Sequence, residues 1–208
     1  TPIATIVTQV LVDKDDPAFT NPTKPIGPFY TEADAQKYRE TTDWVLKEDA
    51  GRGWRRVVAS PKPLQIIEED TIRLLLEQNV IVIAVGGGGI PVVRNPNGEL
   101  EGRAAVIDKD LASCLLAKNL KADLFIISTG VDKVAVDFKK PTQRELDRLT
   151  VAEAKKYLAE GQFPAGSMGP KVEAAIDFLE HGGKEVIITQ PHLLEDAIAG
   201  KNGTHLVP

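Results

Sequence analysis

Apolar and polar positions along the chain follow two different patterns, and the change falls near residue 63. From there on, short β-branched runs alternate with stretches whose apolar residues recur at helical spacing. The runs predict strands at 80–85, 104–107, 124–127, 134–136, 185–189 and 204–207, and the spacing predicts helices at about 64–78, 108–118, 151–159, 170–181 and 192–199. This alternation predicts an α/β fold, a three-layer αβα sandwich whose mainly parallel sheet is covered on both faces.

Residues 13–60 interrupt this regularity, after a β-rich start at residues 3–12. They are rich in proline, glycine and charge, and they contain no long apolar run. A polar helix, predicted from Thr31 to about Glu40 and capped by Thr31, lies among them. We therefore expect a small, lid-like subdomain at 13–60 that protrudes from a core formed by residues 61–208.

A glycine run follows the strand predicted at 80–85. Because that strand is apolar throughout, we expect it to be buried on both faces. The run consists of Gly86, Gly87, Gly88 and Gly89. Ligands of open α/β sheets bind beyond the carboxyl ends of the strands, and backbone without side chains lets amide groups surround an anion. A ligand site is thus one interpretation of the run, and a plain exit from strand to loop is the other.

Two lysines occupy positions that suit the binding of an anion. Lys24 belongs to the proline-rich run at 21–28, in which three prolines and a glycine exclude a helix or a central strand and predict a stiff loop. Lys171 follows Pro170, a residue suited to the first position of a helix, so helix amides and the lysine would meet an anion together. The alternative for Lys171 is a solvated side chain on an ordinary helix.

Asp108, Lys109 and Asp110 follow the short strand predicted at 104–107 and begin the next helix. Aspartate at a helix start is an ordinary cap, and this explains one of the two carboxylates. It does not explain a lysine between them at the edge of a sheet. A cation that binds phosphate, beside a carboxylate that orients it, is typical of phosphoryl transfer.

Composition narrows the classes of function. The chain has 208 residues, of which 42% are hydrophobic and 26% charged, and a net charge of −5. The acidic balance gives no electrostatic reason to bind nucleic acid or an anionic membrane, and no apolar run is long enough to span a membrane. The three histidines lack the spacing of metal ligands, so no metal-binding cluster of side chains is predicted. A single cysteine, Cys114, cannot form an internal disulfide, which is typical of the cytoplasm.

Seven short segments carry the most distinctive residues. They are NPTKPIGP at 21–28, EDAGRGWR at 48–55, SPKP at 60–63, GGGGIP at 86–91, VIDKD at 106–110, TGVD at 129–132 and GSMGPK at 166–171. Together they closely resemble the carbamate kinase family of amino-acid kinases. The resemblance covers essentially the whole chain, and the first three segments distinguish this family from other amino-acid kinases. It implies an amino-acid-kinase fold in which residues 13–60 protrude over the active site.

The resemblance also implies a reaction. This is reversible phosphoryl transfer between ATP and carbamate, usually run from carbamoyl phosphate and ADP toward ATP in arginine fermentation, the arginine deiminase pathway. It implies Mg²⁺ and a cytoplasmic homodimer. Lys109 and Lys171 match the lysines that stabilise the transferring phosphoryl group, Asp110 matches the aspartate that orients them, and Lys24 matches the lysine that reaches in from the subdomain.

Ligand-binding residues follow from the same resemblance. The glycine run at 86–89 would lie near the carbamate and the phosphoryl group. The nucleotide-binding residues would be Thr129, Gly130, Val131, Asp132, Ser167 and Met168.

The beginning of the chain departs from this family. Two glycine-rich loops, one with Gly-Gly-Asn and one with His-Gly-Asn-Gly, would precede Thr1, so we expect the amino-terminal part of the fold to lie outside this chain. Two alternatives remain open, namely another small-molecule kinase of the same fold and a non-catalytic module that binds nucleotide. The Lys24 segment and the segment at 52–55 argue against the first of these.

Overall fold

A computed structural model describes residues 1–49, 51–164 and 166–208. Ala50, which belongs to the segment EDAGRGWR, and Ala165 lie outside the described residues. The chain divides into two units, Thr1–Ala112 and Ser113–Pro208, and the boundary falls within helix α3 (Lys109–Asn119).

The first unit contains nine strands and two complete helices among its described residues. They are β1 (Ile3–Thr5), β2 (Gln9–Leu11), β3 (Lys24–Tyr30), α1 (Glu32–Thr41), β4 (Val45–Glu48), β5 (Trp54–Val58), β6 (Gln65–Ile66), α2 (Glu69–Glu77), β7 (Ile81–Ile83), β8 (Ile90–Arg94) and β9 (Leu100–Gly102). One mixed sheet has the order β6-β2-β8-β9, in which β2 and β8 run parallel, while β1 and β7 form a separate parallel pair.

A third sheet, with the order β3-β5-β4, is formed entirely by residues of the segment 13–60. The stiff loop predicted around Lys24 is wrong, because Lys24 begins strand β3. The prolines are tolerated since β5 is the one strand paired with β3 among the described residues, and the other edge of β3 has no partner strand there. The predicted helix at 31–40 is confirmed as α1, and the Thr31 hydroxyl accepts a hydrogen bond from the Asp34 N–H.

The helix predicted at 64–78 begins later than expected. Gln65 and Ile66 form β6, which pairs antiparallel with β2, and the helix starts at Glu69. Ile66 is completely buried, because this pairing places it opposite Val10 of the sheet core. Within this helix Ile72 is buried, whereas Leu74 is 59% exposed.

Two strand predictions also need correction. The strand predicted at 80–85 is observed as β7, but it is not buried on both faces, since Ile81 and Ile83 are 52% and 53% exposed. Its only described partner strand is β1, and the face that carries Ile81 and Ile83 is largely uncovered. No strand forms at 104–107. Val106 makes a backbone hydrogen bond to Ala59, and β9, which continues the hairpin from β8, ends before it.

The second unit contains a mixed four-stranded sheet with the order β10-β14-β15-β13 and a hairpin of β11 and β12. Its elements are β10 (Leu124–Ser128), β11 (Val134–Val136), β12 (Arg144–Leu146), β13 (Arg148–Thr150), α4 (Val151–Ala159), α5 (Met168–Glu180), β14 (Glu185–Thr189), α6 (Leu194–Ile198) and β15 (Thr204–Val207). Strands β12 and β13 have no counterpart in the sequence prediction, and the other predicted elements of this region are present.

The core of this unit lies between α5 and the sheet. Phe178 of α5 is buried, and its ring lies 5.5 Å from that of Phe125 on β10, centroid to centroid. Strands β10 and β14 are parallel, so Ser128 and Thr189 lie side by side at their carboxyl ends. The predicted α/β class is confirmed, with parallel and antiparallel pairing in both units. Among the described residues, no helix is long and apolar enough to cross a membrane.

Candidate functional site

The glycine loop (residues 86–89) leaves β7 through a strained residue. Val85 has φ of +48°, in the left-handed region that a β-branched residue rarely adopts. Its N–H donates to Thr8 Oγ1 at 2.9 Å, and its carbonyl accepts from the Gly88 N–H at 2.7 Å. The chain therefore turns sharply at the carboxyl end of the strand.

The four glycines serve different purposes. A Cβ at Gly88 would lie 2.4 Å from the Ile107 carbonyl oxygen, and one at Gly89 would lie 2.5 Å from Val10 Cγ2. Both residues also have positive φ, so packing and backbone conformation already require glycine there. A Cβ at Gly86 or Gly87 would meet nothing within 4 Å. A plain loop exit therefore explains Gly88 and Gly89. It gives no structural reason for glycine at positions 86 and 87.

Lys24, the first residue of β3, makes an ion pair at the start of α3. Lys24 Nζ lies 2.5 Å from Asp108 Oδ2, and the two side chains are 29% and 11% exposed. The other oxygen, Asp108 Oδ1, accepts from the N–H groups of Asp110 at 2.9 Å and Leu111 at 3.4 Å. Asp108 thus caps the helix and binds the lysine at the same time.

Asp108 is ionised at neutral pH. Burial alone would raise the pKa of this carboxyl, but the Lys24 ammonium and the two backbone N–H donors outweigh burial and hold the pKa below its usual value. A charged carboxylate therefore faces Lys24 under physiological conditions.

The other two residues of this motif differ in exposure. Asp110, in the first turn of α3, is buried, with a relative exposure of 8%. Lys109 is exposed. The helix-cap interpretation belongs to Asp108, since the Asp108 side chain is the one that accepts the first amide hydrogen bonds of the helix. The role predicted for Asp110 in orienting lysines stays a prediction.

Lys171 lies in the first turns of α5 in the second unit. It is 8% exposed, so the alternative of a solvated lysine is wrong. The helix begins at Met168, two residues earlier than predicted, which makes Pro170 its third residue instead of its first. Ser167 precedes the helix and makes no side-chain capping bond to it. An amino-terminal helix end with a buried lysine suits a negatively charged ligand.

A cavity of about 270 Å³ opens beside this helix end. Five of the six residues predicted to bind nucleotide line it, namely Thr129, Gly130 and Val131 after β10 and Ser167 and Met168 at α5. The sixth, Asp132, does not line it, and its carboxylate accepts a hydrogen bond from Gln190 Nε2. The cavity therefore joins two segments that are far apart in sequence.

Much of the cavity wall was not foreseen from the sequence. It comprises Lys133, Ala135, Phe138, Gln143, Glu145, Gln162, Phe163 and Pro164. The wall is largely apolar at Phe138 and Phe163, while Lys133 pairs with Asp147 at 2.5 Å. A flat apolar ligand with an anionic tail would fit such a wall and helix end together. The hairpin of β11 and β12 supplies several of these residues, and β12 gave no recognisable strand pattern.

Two further residues at the first unit's site escaped sequence reasoning. Asp108 was recognised as part of the motif at 108–110 but not as the partner of Lys24, and Thr8 was not singled out at all. Asp108 stands directly before a lysine-aspartate pair, which is a usable signal. Thr8 lies in an ordinary β-rich segment, and no pattern around it predicts a bond to Val85.

Residues 29–190 match the amino acid kinase family. The chain belongs to this family. The predicted amino-acid-kinase fold is thereby confirmed.

Individual relatives carry more specific names. The chain is 53% identical to the carbamate kinase of Thermococcus kodakarensis over 206 residues and 52% identical to the carbamate kinase-like protein YahI of Escherichia coli over 204 residues. These alignments cover 99% and 98% of this chain, respectively. Among solved structures, carbamate kinase from Giardia lamblia bound to AMP-PNP matches all of this chain with a TM-score of 0.85 and 48% identity. The resemblance to carbamate kinase found in the sequence is thus confirmed.

The chain spans only part of these relatives. It covers 65% of the length of both named relatives and 66% of the Giardia chain.

Proposed function

We propose that this chain carries the phosphoryl-transfer and nucleotide-binding residues of a carbamate kinase. The observation that carries the proposal is the Lys24–Asp108 ion pair. It brings the segment NPTKPIGP, which distinguishes carbamate kinases, to the segment VIDKD at the start of α3. The similarity of the whole chain to carbamate kinases supports the same conclusion.

The proposed reaction transfers a phosphoryl group between two anions. An oxygen of the ADP β-phosphate bonds to the phosphorus of carbamoyl phosphate, the bond from phosphorus to the carbamate oxygen breaks, and carbamate leaves with that electron pair. No proton moves in this step, so a general base is not required. Catalysis then depends on cations that stabilise charge on the transferring group.

In this proposal, Lys109 and Lys171 bind the oxygens of the transferring group and Asp110 orients them. Lys24 contributes a third cation from the subdomain. The N–H groups of Gly86 and Gly87 are the backbone donors of the site, because a Cβ at either position would meet no protein atom and the loop is open there. A ligand can therefore approach the backbone closely.

The nucleotide occupies the cavity at the amino end of α5. Phe138 and Phe163 offer apolar surface for the base, and the helix end, near Ser167, suits its phosphates. A relative from Giardia was solved bound to AMP-PNP, which supports a nucleotide as a ligand of this chain.

Magnesium enters the proposal together with the nucleotide. Among the described residues, no three His, Cys, Asp or Glu side chains form a cluster that could hold a metal ion. This fits Mg²⁺, which keeps several waters and binds chiefly through substrate phosphates. The nucleotide substrate in this proposal is MgADP or MgATP.

The compartment, the oligomeric state and the source of the substrate are also assigned. We assign the enzyme to the cytoplasm, as a homodimer that uses carbamoyl phosphate from arginine fermentation. The resemblance to carbamate kinases supports these assignments. The single cysteine, which lies buried, agrees with a reducing compartment.

The test is ATP formation from carbamoyl phosphate and MgADP, measured on the protein expressed from the complete gene and on residues 1–208 alone. Activity in the first sample is the expected result. Absence of ATP, with phosphorylation of UMP or an amino acid instead, would support another kinase of the same fold. Two relatives are named only as carbamate kinase-like, so these acceptors belong in the assay. Nucleotide binding without any transfer would support a non-catalytic module.

A further inference from the structure

One buried residue is bonded to both ends of the glycine loop. Thr8 lies between β1 and β2 and is 5% exposed. Its Oγ1 accepts from the Val85 N–H at 2.9 Å, directly before the loop. Its carbonyl oxygen accepts from the Ile90 N–H at 2.8 Å, directly after the loop. The same hydroxyl donates to the Ile6 carbonyl at 3.0 Å, so its orientation is fixed.

The loop needs an external restraint of this kind. Four consecutive glycines have the widest choice of backbone conformations of any sequence, and Val85 opposes the turn because it is β-branched and has positive φ. Strain of this type persists only where the surroundings hold it. Among the described contacts of Val85, the Thr8 hydroxyl is the side-chain group that binds its backbone.

We propose that Thr8 is a positioning residue that holds the glycine loop in the shape that binds the phosphoryl group. The proposal rests on the function proposed above. Thr8 does not touch the substrate. Its hydroxyl fixes Val85, and Val85 in turn fixes the direction in which the N–H groups of Gly86 and Gly87 point. Donors fixed before the substrate arrives do not have to be ordered during the reaction.

Three variants test this proposal in the protein expressed from the complete gene. Thr8→Val keeps the shape of the side chain and removes the hydroxyl, whereas Thr8→Ser keeps the hydroxyl. Val12→Ala is the control, because Val12 is buried just beyond β2 and makes its backbone bond to Val92, away from the loop. Each variant is measured for kcat and KM with carbamoyl phosphate and with MgADP, and for melting temperature.

We expect Thr8→Val to lower kcat/KM for carbamoyl phosphate by about tenfold or more, as loss of one buried hydrogen bond would. KM for MgADP should stay within about twofold, since the nucleotide cavity belongs to the second unit. Thr8→Ser should restore most of the activity. Val12→Ala should lower the melting temperature and leave both kinetic constants unchanged.

Three results would overturn the proposal. One is normal kcat/KM for carbamoyl phosphate in Thr8→Val, and another is a defect in Thr8→Val that Thr8→Ser shares in full. The third is an equal loss in Val12→Ala, which would mean that any weakening of the sheet has this effect. An inactive wild-type protein would instead overturn the proposed function, and this inference with it.

Amide hydrogen exchange on the unmodified protein decides the matter if Thr8→Val does not fold. The Val85 and Ile90 amides should exchange slowly without ligand, and carbamoyl phosphate should slow the Gly86 and Gly87 amides. Fast exchange at Val85 in the folded protein would overturn the proposal, because the bond from Thr8 would then not be holding the loop.

Discussion

Asp108 divides its two carboxylate oxygens between two segments of the chain. One oxygen lies 2.5 Å from the Lys24 ammonium group, which is 84 residues away in sequence, and the other accepts the first amide hydrogen bonds of α3. Both side chains are largely buried, so the pair is screened less by water than a surface ion pair. The position of Lys24 is therefore coupled to the start of the helix that carries Lys109 and Asp110.

Asp108→Asn separates the two roles. Asparagine caps a helix about as well as aspartate, so the cap should be kept and the melting temperature should fall only by what the ion pair with Lys24 contributes. The bond to Lys24 loses its charge, and we expect kcat/KM for carbamoyl phosphate to fall by about tenfold, because hydrogen bonds to charged groups contribute roughly 1.5–3 kcal/mol. Steady-state kinetics and thermal unfolding of the same preparations measure the two effects.

Asp108→Ala serves as the control for the cap. It should lose the same activity and, in addition, about 1 kcal/mol of stability. Unchanged kcat/KM for carbamoyl phosphate in Asp108→Asn would mean that the catalytic position of Lys24 does not depend on the charge of Asp108.

Stability should depend on pH through the same carboxyl. The pKa of Asp108 is lower in the folded protein than in the unfolded chain, so ionised Asp108 stabilises the fold above the unfolded-state pKa of about 4. This contribution is lost as the pH falls through the folded-state pKa. The difference in melting temperature between wild type and Asp108→Asn should therefore shrink from pH 6 toward pH 3. A difference that is constant over this range would contradict the assignment of the pKa shift to the Lys24 pair.

The four glycines should respond differently to substitution by alanine. Gly88→Ala places a Cβ 2.4 Å from the Ile107 carbonyl oxygen at a φ of +118°, so we expect severe loss of stability, of several kcal/mol by the cost of strain and overpacking. Gly86→Ala places its Cβ in open space, so its free energy of unfolding should lie within about 0.5 kcal/mol of the wild-type value. Its kcat/KM for carbamoyl phosphate should nevertheless fall, because the methyl group occupies space proposed for the ligand. Full activity in Gly86→Ala would argue that the substrate does not approach this backbone.

Lys171→Ala should lower kcat far more than it changes the KM for MgADP. A cation aimed at charge that develops in the transition state acts mainly on turnover, and loss of one such group costs about 10²–10³ in rate, or roughly 3–4 kcal/mol. Lys184→Ala is a matched control, since Lys184 is an exposed lysine paired with Asp123 on the surface, and it should leave both constants unchanged. If Lys171→Ala keeps its turnover and binds MgADP weakly, Lys171 acts on the nucleotide and not on the transferring group.

Elements governed by local interactions were predictable from the sequence. Thr31 caps α1 through a bond within one helical turn. Gly182, with a φ of +97°, lies just after α5, where glycine commonly ends a helix. The strand at 185–189 and the motifs beside β10 and α5 were also recognised in place. In each case the residues that determine the structure are neighbours in sequence.

Other features of the fold depend on partners that are distant in sequence, and only the tertiary structure shows them. Ile66 has helical neighbours, yet it joins a strand because it pairs with Val10, and apolar Ile81 is half exposed because few described elements cover β7. Four identical glycines receive different surroundings, since Ile107 and Val10 approach only the last two. The sequence alone therefore determined the family, the fold class and most helices. The contacts that fix the candidate site, from Lys24 to Asp108 and from Thr8 to Val85, arise from long-range packing, which local propensity does not encode.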